Sequence, residues 1–336
     1  MKTISKTMGL IVCLLAVCFC ANAQQNMKVV ATYPVSGNGR YDYLALSNAG
    51  KLYVSHGDQV NILDEKTGKE IGVIQGLSGV HGIAFDYENN KGFISNGTAN
   101  TVSVFDLATN KVTNTIATDK NPDGIIYEPF TKTIITGNGR GNSLSVIDAK
   151  TEKVIQTVSL DGAKPETAVS DGKGLLFVNL ENKNAIAQID LKSFKVVKTI
   201  PLAPKGDSPS GLAIDVKNKL LFAGCDNKTL VVVNYEKGTI VNTYPIGEGC
   251  DGVAYNPNTE TVFSSNGGGD GTLTVLKRTG ATYNVSNVAT KAGARTITLN
   301  TNTNTVYLPA PDFSSTPDAN GRKSIVPDSF KVLVVK

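Results

Sequence analysis

The sequence predicts an all-β fold, a seven-bladed β-propeller with four antiparallel strands per blade. Three observations carry that prediction. A unit of about 40 residues recurs seven times, each copy divides into four short apolar runs, and residues 28–34 read as a fourth run displaced from the far end of the chain. Composition agrees: 33 of 336 residues are Gly, Trp is absent, and apolar runs are punctuated throughout by Asn, Asp and Gly rather than spaced at helical period.

Each unit opens on a related hexapeptide: "YDYLAL" (41–46), "VHGIAF" (80–85), "PDGIIY" (122–127), "PETAVS" (165–170), "PSGLAI" (209–214), "CDGVAY" (250–255) and "ARTITL" (294–299). Their second residues stand at 42, 81, 123, 166, 210, 251 and 295, so successive steps run from 39 to 44 residues. A second run follows, as in "GFISN" (92–96) or "LLFAGC" (220–225), then a third such as "TVSVFDL" (101–107) or "SLSVIDA" (143–149). A fourth closes the unit, as in "KVTNTIA" (111–117), "KVVKTIP" (195–201) and "TIVNTYP" (239–245).

The seventh unit reaches the end of the chain on its third run, "FKVLVVK" (330–336). The segment "KVVATYP" (28–34) has the fourth-run pattern, so the N-terminal strand is expected to complete the last blade and close the ring. Residues 24–336 then form a single domain. Residues 310–329 are an insertion between strands two and three of blade 7, and a loop of that length suits a lid over the mouth of the channel.

Residues 1–23 read as a signal peptide. Lys2 and Lys6 precede the apolar run "MGLIVCLLAVCFC", and "ANA" at 21–23 supplies small residues for cleavage. A periplasmic or secreted location follows, with no membrane span after cleavage. Losing two lysines lowers the formal charge from +4 to +2. With so mild a balance, no Trp and no stripe of alternating aromatic and basic residues, a nucleic-acid partner is disfavoured, and a monomer is expected. Three of the five cysteines fall in the signal, leaving Cys225 and Cys250. Two cysteines in an oxidising compartment, placed near one mouth on adjacent blades, predict a disulfide between them.

The chain resembles the exported YVTN-repeat (YncE-like) β-propellers. The likeness rests on "YVSH" (53–56), "FISN" (93–96), "VSVFDLATNKVTNTI" (102–116) and "LSVIDAKTEKVIQTV" (144–158), and it extends over essentially all seven units. It implies a seven-bladed propeller outside the cytoplasm. Roles in that family are mixed and include names that suggest DNA binding, and several propeller relatives are lactonases or lyases.

In a propeller the inner strand of each blade begins at one mouth of the central channel, and the loop between the second and third strands emerges on the same face. The first position gives a ring of Asp42, His81, Asp123, Glu166, Ser210, Asp251 and Arg295. The second, at the end of the second strand, gives His56, Asn96, Asn138, Asn179, Cys225, Asn266 and Ala310. Both histidines of the chain fall in these two rings. Four carboxylates and one Arg give the inner ring a formal charge of −3, which should raise carboxyl pKa values or call for a cation.

Arg295, between Asp251 and Asp42 around the ring, is expected as their ion-pair partner. His81, Asp123 and Glu166, on blades 2 to 4, remain as the candidate catalytic or metal-ligating group. Carboxylates backed by Asn side chains suit Ca²⁺ or Mg²⁺, and a His among them also admits Zn²⁺ or Mn²⁺. A His beside two carboxylates equally suits general acid–base work. The competing reading is structural: "DG" and "NG" pairs making the tight start of each inner strand.

Candidate ligand-binding residues are Asp42, His56, Asn96, Asn138, Arg140, Asn179, Asp251, Asn266 and Arg295. Arg40, Arg140, Arg322 and Lys323 are placed to form a basic collar. The expected function is binding or scaffolding, with a small molecule or a protein partner captured at the mouth. The alternative is a metal-assisted, lactonase-like hydrolase or a lyase using His81, Asp123 and Glu166.

Overall fold

Burial sorts the strands of each unit as the apolar pattern requires. The two middle strands of a blade are covered on both faces by neighbouring blades and read as near-continuous apolar runs; Leu175–Leu180 is buried except at its first residue. The outermost strands face solvent and carry Lys, Thr and Gln, as in Lys153–Ser159, where Val158 alone is buried. The computed structural model describes residues 27–317 and 323–336. The expected signal peptide and Arg322 lie outside these residues. Among the described residues no helix is long and apolar enough to cross a membrane.

Seven four-stranded antiparallel sheets surround an axis. The innermost strands are Tyr41–Leu46, Val80–Asp86, Pro122–Glu128, Pro165–Ser170, Pro209–Asp215, Cys250–Asn256 and Thr298–Asn300, on blades 1 to 7 in order. Blade 7 is completed by the N-terminal strand: Val29–Pro34 runs antiparallel to Lys331–Val335, with Thr32 opposite Leu333. Reciprocal backbone bonds between Lys28 and Lys336, at 2.8 and 3.0 Å, extend that pairing. The core is a set of interblade clusters, such as Phe177, Ile186 and Ile200 of blade 4 against Leu212, Leu221 and Val231 of blade 5.

One irregularity recurs. On blades 1 to 5 the first residue of the inner strand pairs with the last residue of the second strand, and pairing resumes three residues later. Tyr41 faces His56 and then Leu44 faces Val54; Val80 faces Asn96 and then Ile83 faces Ile94. The same shift follows Pro122, Pro165 and Pro209, and a one-residue shift follows Cys250. Such a bulge bends the strand and re-aims the side chain within it. That side chain is the ring residue of each of the first six units.

Neighbouring inner strands approach closely just beyond the bulge. A Cβ on Gly211 would lie 2.7 Å from the backbone of Gly252 on the next blade, and one on Gly82 would lie 2.8 Å from the Ile125 side chain. At Gly82, Gly211 and Gly252 the Gly after the ring residue is therefore a requirement of blade spacing, and not only of the turn.

Three expectations need adjustment. The inner strand of blade 7 is only Thr298–Asn300, so Arg295 stands in the connection ahead of it. The insertion at 310–329 contains a hairpin, Phe313–Pro317 with Lys323–Ile325, whose base is held by Asp312 ion-paired to Lys291 at 2.6 Å and Lys331 at 2.9 Å. The expected disulfide is absent: Cys225 and Cys250 are both free and buried. Successive side chains of a strand point to opposite faces. Cys225 packs in the cluster between blades 4 and 5, whereas Cys250 packs between blades 5 and 6 against Gly224. The blade 5 sheet separates them, and the Cys250 thiol instead sits 3.2 Å from Ser264 Oγ.

Two outcomes follow. Titration of unreduced, unfolded protein lacking residues 1–23 should count two free thiols per chain. Gly211→Ala should destabilise by about 1–3 kcal/mol through overpacking, seen as a lower urea midpoint with an unchanged slope.

Candidate functional site

The bulges bring the ring residues onto a cavity of about 410 Å³ at the axial mouth, lined among others by Asp42, His81, Asp123, Glu166, Ser210, Asp251 and Arg295. The backbone freed by each bulge is bonded by side chains of the second strands. Ser55 Oγ accepts from the Asp42 amide at 3.0 Å and donates to Tyr43 O at 3.0 Å. Ser95 Oγ accepts from the Gly82 amide at 2.8 Å and donates to Asp123 O at 2.5 Å. Ser265 donates to the carbonyls of Gly252 and Arg295, and Asn179 Nδ2 donates to those of Ser210 and Gly211, both at 3.0 Å. The links from Ser95, Asn179 and Ser265 reach the next blade, whereas Ser55 bonds within its own.

Within the ring the charges divide into two arcs. Arg295 pairs with Asp251 Oδ2 at 2.9 Å and Asp42 Oδ1 at 3.6 Å, lies over the Tyr41 ring, and donates to Tyr41 O. It is the expected bridge across the ends of the sequence repeat. Ser210 completes this arc by donating to Asp251 Oδ1 at 2.5 Å.

On the other arc, His81 Nδ1 lies 2.6 Å from Asp42 Oδ2 and 3.7 Å from Asp123 Oδ1. A carboxylate can only accept, so Nδ1 carries the proton and donates to Asp42. Ligand atoms of Asp42, His81 and Asp123 all lie within 4.8 Å of one another. Glu166 is not among them. Lys164 holds it at 2.8 Å and also pairs with Glu181.

Titration of Asp123, Glu166 and His81 is perturbed. Burial, reinforced by the Asp42 charge and opposed by His81, pushes the Asp123 carboxyl up to about 7. Burial and the Asp123 charge push Glu166 up to about 8, in spite of the Lys164 ammonium. Burial alone would lower His81, but its hydrogen bond to Asp42 and the charges of Asp123 and Asp42 outweigh that, and the imidazole is raised. Burial also raises Asp251, against the pull of Arg295. Asp123 and His81, 3.7 Å apart, are thus both raised from their ordinary values, the kind of perturbation that acid–base sites show.

The second ring does not reach the mouth. His56 is 1% exposed, stacks on Phe330 with ring centres 4.4 Å apart, and has Nδ1 3.1 Å from Ser36 O. Burial lowers its pKa. Asn96, Asn138 and Asn266 are buried inside their blades, with Nδ2 donating to third-strand hydroxyls such as Ser103, Ser145 and Thr274. Of the nine expected ligand-binding residues, Asp42, Asp251 and Arg295 line the axial cavity, and Arg140 lines an adjoining groove with Arg40 and Lys120.

Four residues on this face fall outside the sequence expectation. Tyr43 lines the cavity, and burial and the surrounding carboxylates hold its hydroxyl well above the usual range. Glu181 and Asp226 add further acids to the wall, and Lys164 is the cation that answers them. Tyr43 follows the ring position within its hexapeptide, and the other three lie outside the aligned hexapeptides, so the repeat does not mark them.

No protein-family model matches the sequence, and no curated protein matches it. Among solved structures the chain is similar to "Crystal structure of WD40 beta propeller domain of Doa1". The two share 15% identity, the match covers 93% of this chain and 97% of the other, and the TM-score is 0.70. The fold is a seven-bladed β-propeller. At that identity the likeness speaks for the fold alone.

Because Asp123 titrates higher when folded, about 7 against an ordinary 3.8, its contribution to stability is present below about pH 4 and is lost as pH rises through 7. In chelator-treated protein, Asp123→Asn should therefore raise the melting temperature at pH 8 by several degrees and leave it unchanged at pH 3.5; a thermal melt series across that range checks the sign.

Proposed function

We propose that this chain is an exported binding protein that captures a small molecule at the axial mouth, around a divalent cation held by Asp42, His81 and Asp123. One observation carries the reading: an imidazole nitrogen and two carboxylate oxygens converge within 4.8 Å of one another on the wall of a cavity large enough for a small ligand. The donor set of one nitrogen and two carboxylate oxygens suits Zn²⁺ or Mn²⁺. It suits Ca²⁺ less, because the Asn side chains that would complete an all-oxygen shell are buried in their blades.

When bound, such a cation would supply a fixed positive charge able to polarise a ligand oxygen. The chain's own residues do the rest. Arg295 and His81 both bond Asp42 and so fix its carboxylate, while Lys164 keeps Glu166 out of the cluster. To hold a cation through Nδ1, His81 would give up the proton that it donates to Asp42, so affinity should rise with pH.

A metal-assisted hydrolase or lyase is the second reading. The observation in its favour is the orientation of His81, whose Nδ1 is fixed by Asp42, while Nε2 has no hydrogen-bond partner among the described residues. A ring nitrogen left open in that way is placed to act as general acid or base.

Calorimetric titration of chelator-treated protein with Zn²⁺ and Mn²⁺ tests the leading reading. One site per chain is expected, weakened by at least about tenfold in His81→Ala and in Asp123→Asn. A chain that takes up neither ion at pH 7.5 would sink the reading.

A further inference from the structure

A groove of about 700 Å³ lies on the same rim, and it shares Asp42, His81 and Arg295 with the axial cavity. The two concavities have a common wall and opposite electrical character. The axial cavity is walled by Asp42, Asp123, Glu166, Glu181, Asp226 and Asp251 against Lys164 and Arg295. In the groove Arg40, Lys120, Arg140 and Arg295 stand against Asp42 and Asp58.

Which of those groove charges are already committed decides what it can bind. Asp42 is taken by His81 and Arg295, and Arg295 by Asp251. Asp58 spends one carboxylate oxygen on the Gly79 amide at 2.7 Å. Arg40, Lys120 and Arg140 are exposed and make no ion pair among the described residues. They come from three loops on blades 1 to 3 and serve no packing role: Arg40 ahead of Tyr41, Lys120 ahead of Pro122, Arg140 after Asn138. Three uncommitted cations facing one concavity repel each other and set up a local positive potential, which an oxyanion would relieve.

We infer that the groove receives the anionic group, a carboxylate or a phosphate, of the same small molecule whose other end meets the Asp42–His81–Asp123 cluster. This inference rests on the reading of that cluster as a ligand site, and it names the ligand class: a small acid. The guanidinium planes of Arg40 and Arg140 suit such a group because they can donate two parallel bonds to it. The acidic cavity beyond the shared wall repels the same group. That opposition orients the ligand, with its anion outward in the groove and its neutral or metal-seeking oxygen inward.

The test is calorimetric titration of the chain lacking residues 1–23 with two probes, succinate and inorganic phosphate, at low ionic strength. At least one probe should bind, with affinity falling as salt is added. Arg140→Gln should weaken it by about tenfold, the loss expected of one charge-assisted contact. The triple variant Arg40→Gln/Lys120→Gln/Arg140→Gln should abolish binding while leaving Mn²⁺ affinity within about twofold. The better probe identifies the anion as carboxylate or phosphate. Failure of both probes, or a probe affinity unchanged in the triple variant, overturns the inference. The two readings fail separately: a chain that binds a probe but no Mn²⁺ keeps the groove and loses the metal, and the reverse result keeps the metal and loses the groove.

Discussion

Each of the first six inner strands leaves register just after its first residue, and the mouth of this propeller is built on that departure. A regular strand would send the ring side chain against the face of a neighbouring blade, because side chains alternate strictly across a sheet. The bulge turns Asp42, His81, Asp123, Glu166, Ser210 and Asp251 toward the axis instead. It also leaves backbone groups outside the ladder, and buried groups of that kind must find partners. Ser55, Ser95, Asn179 and Ser265 supply them, in most cases reaching the next blade's inner strand. The bulge therefore aims the functional side chain and joins adjacent blades through a single arrangement.

Convergence has an electrostatic consequence that the scaffold relieves unevenly. Around blades 6, 7 and 1, Arg295 answers Asp251 and Asp42 directly. Around blades 2 to 4 the nearest cation is Lys164, which Glu166 and Glu181 already share. Among the described residues His81 is the one basic side chain close to Asp123, and burial raises the carboxyl in spite of it. Surplus negative charge is thus confined to one side of the ring, beside His81.

The fold was legible because it depends on period and polarity, which a sequence displays openly. "KVVATYP" matched the fourth-run pattern, and Val29–Pro34 does complete blade 7. The inner ring was legible for the same reason, as one position in a repeat. The second ring was misplaced by one residue of strand alternation: His56, Asn96 and Asn266 point into the blade, and the serines just before them, in "YVSH", "FISN" and "FSSN", face the bulges. The cysteines were misjudged likewise, since proximity along the ring concealed that Cys225 and Cys250 pack against opposite faces of blade 5. Glu166 shows a different limit. Its place in the ring was clear, but its capture by Lys164, two residues earlier, depends on side-chain geometry that the repeat does not encode.

The two mouth concavities differ in what constrains them. Ring residues sit between close-packed inner strands, where Gly211 and Gly82 leave no room for a Cβ, so a change there is felt through the backbone of the next blade. Arg40, Lys120 and Arg140 stand on connections whose side chains support no core, and their substitution alters the field of the groove with little effect on the sheets. Stability and recognition are therefore separable on this face to an unusual degree. The acidic ring is fixed by the architecture that produces it, while the basic groove is free to vary in charge, and His81 belongs to the wall of both. A ligand of the kind proposed, spanning that wall, would couple them: its inward end would be set by geometry the fold cannot easily change, and its outward end by loop charges that it can.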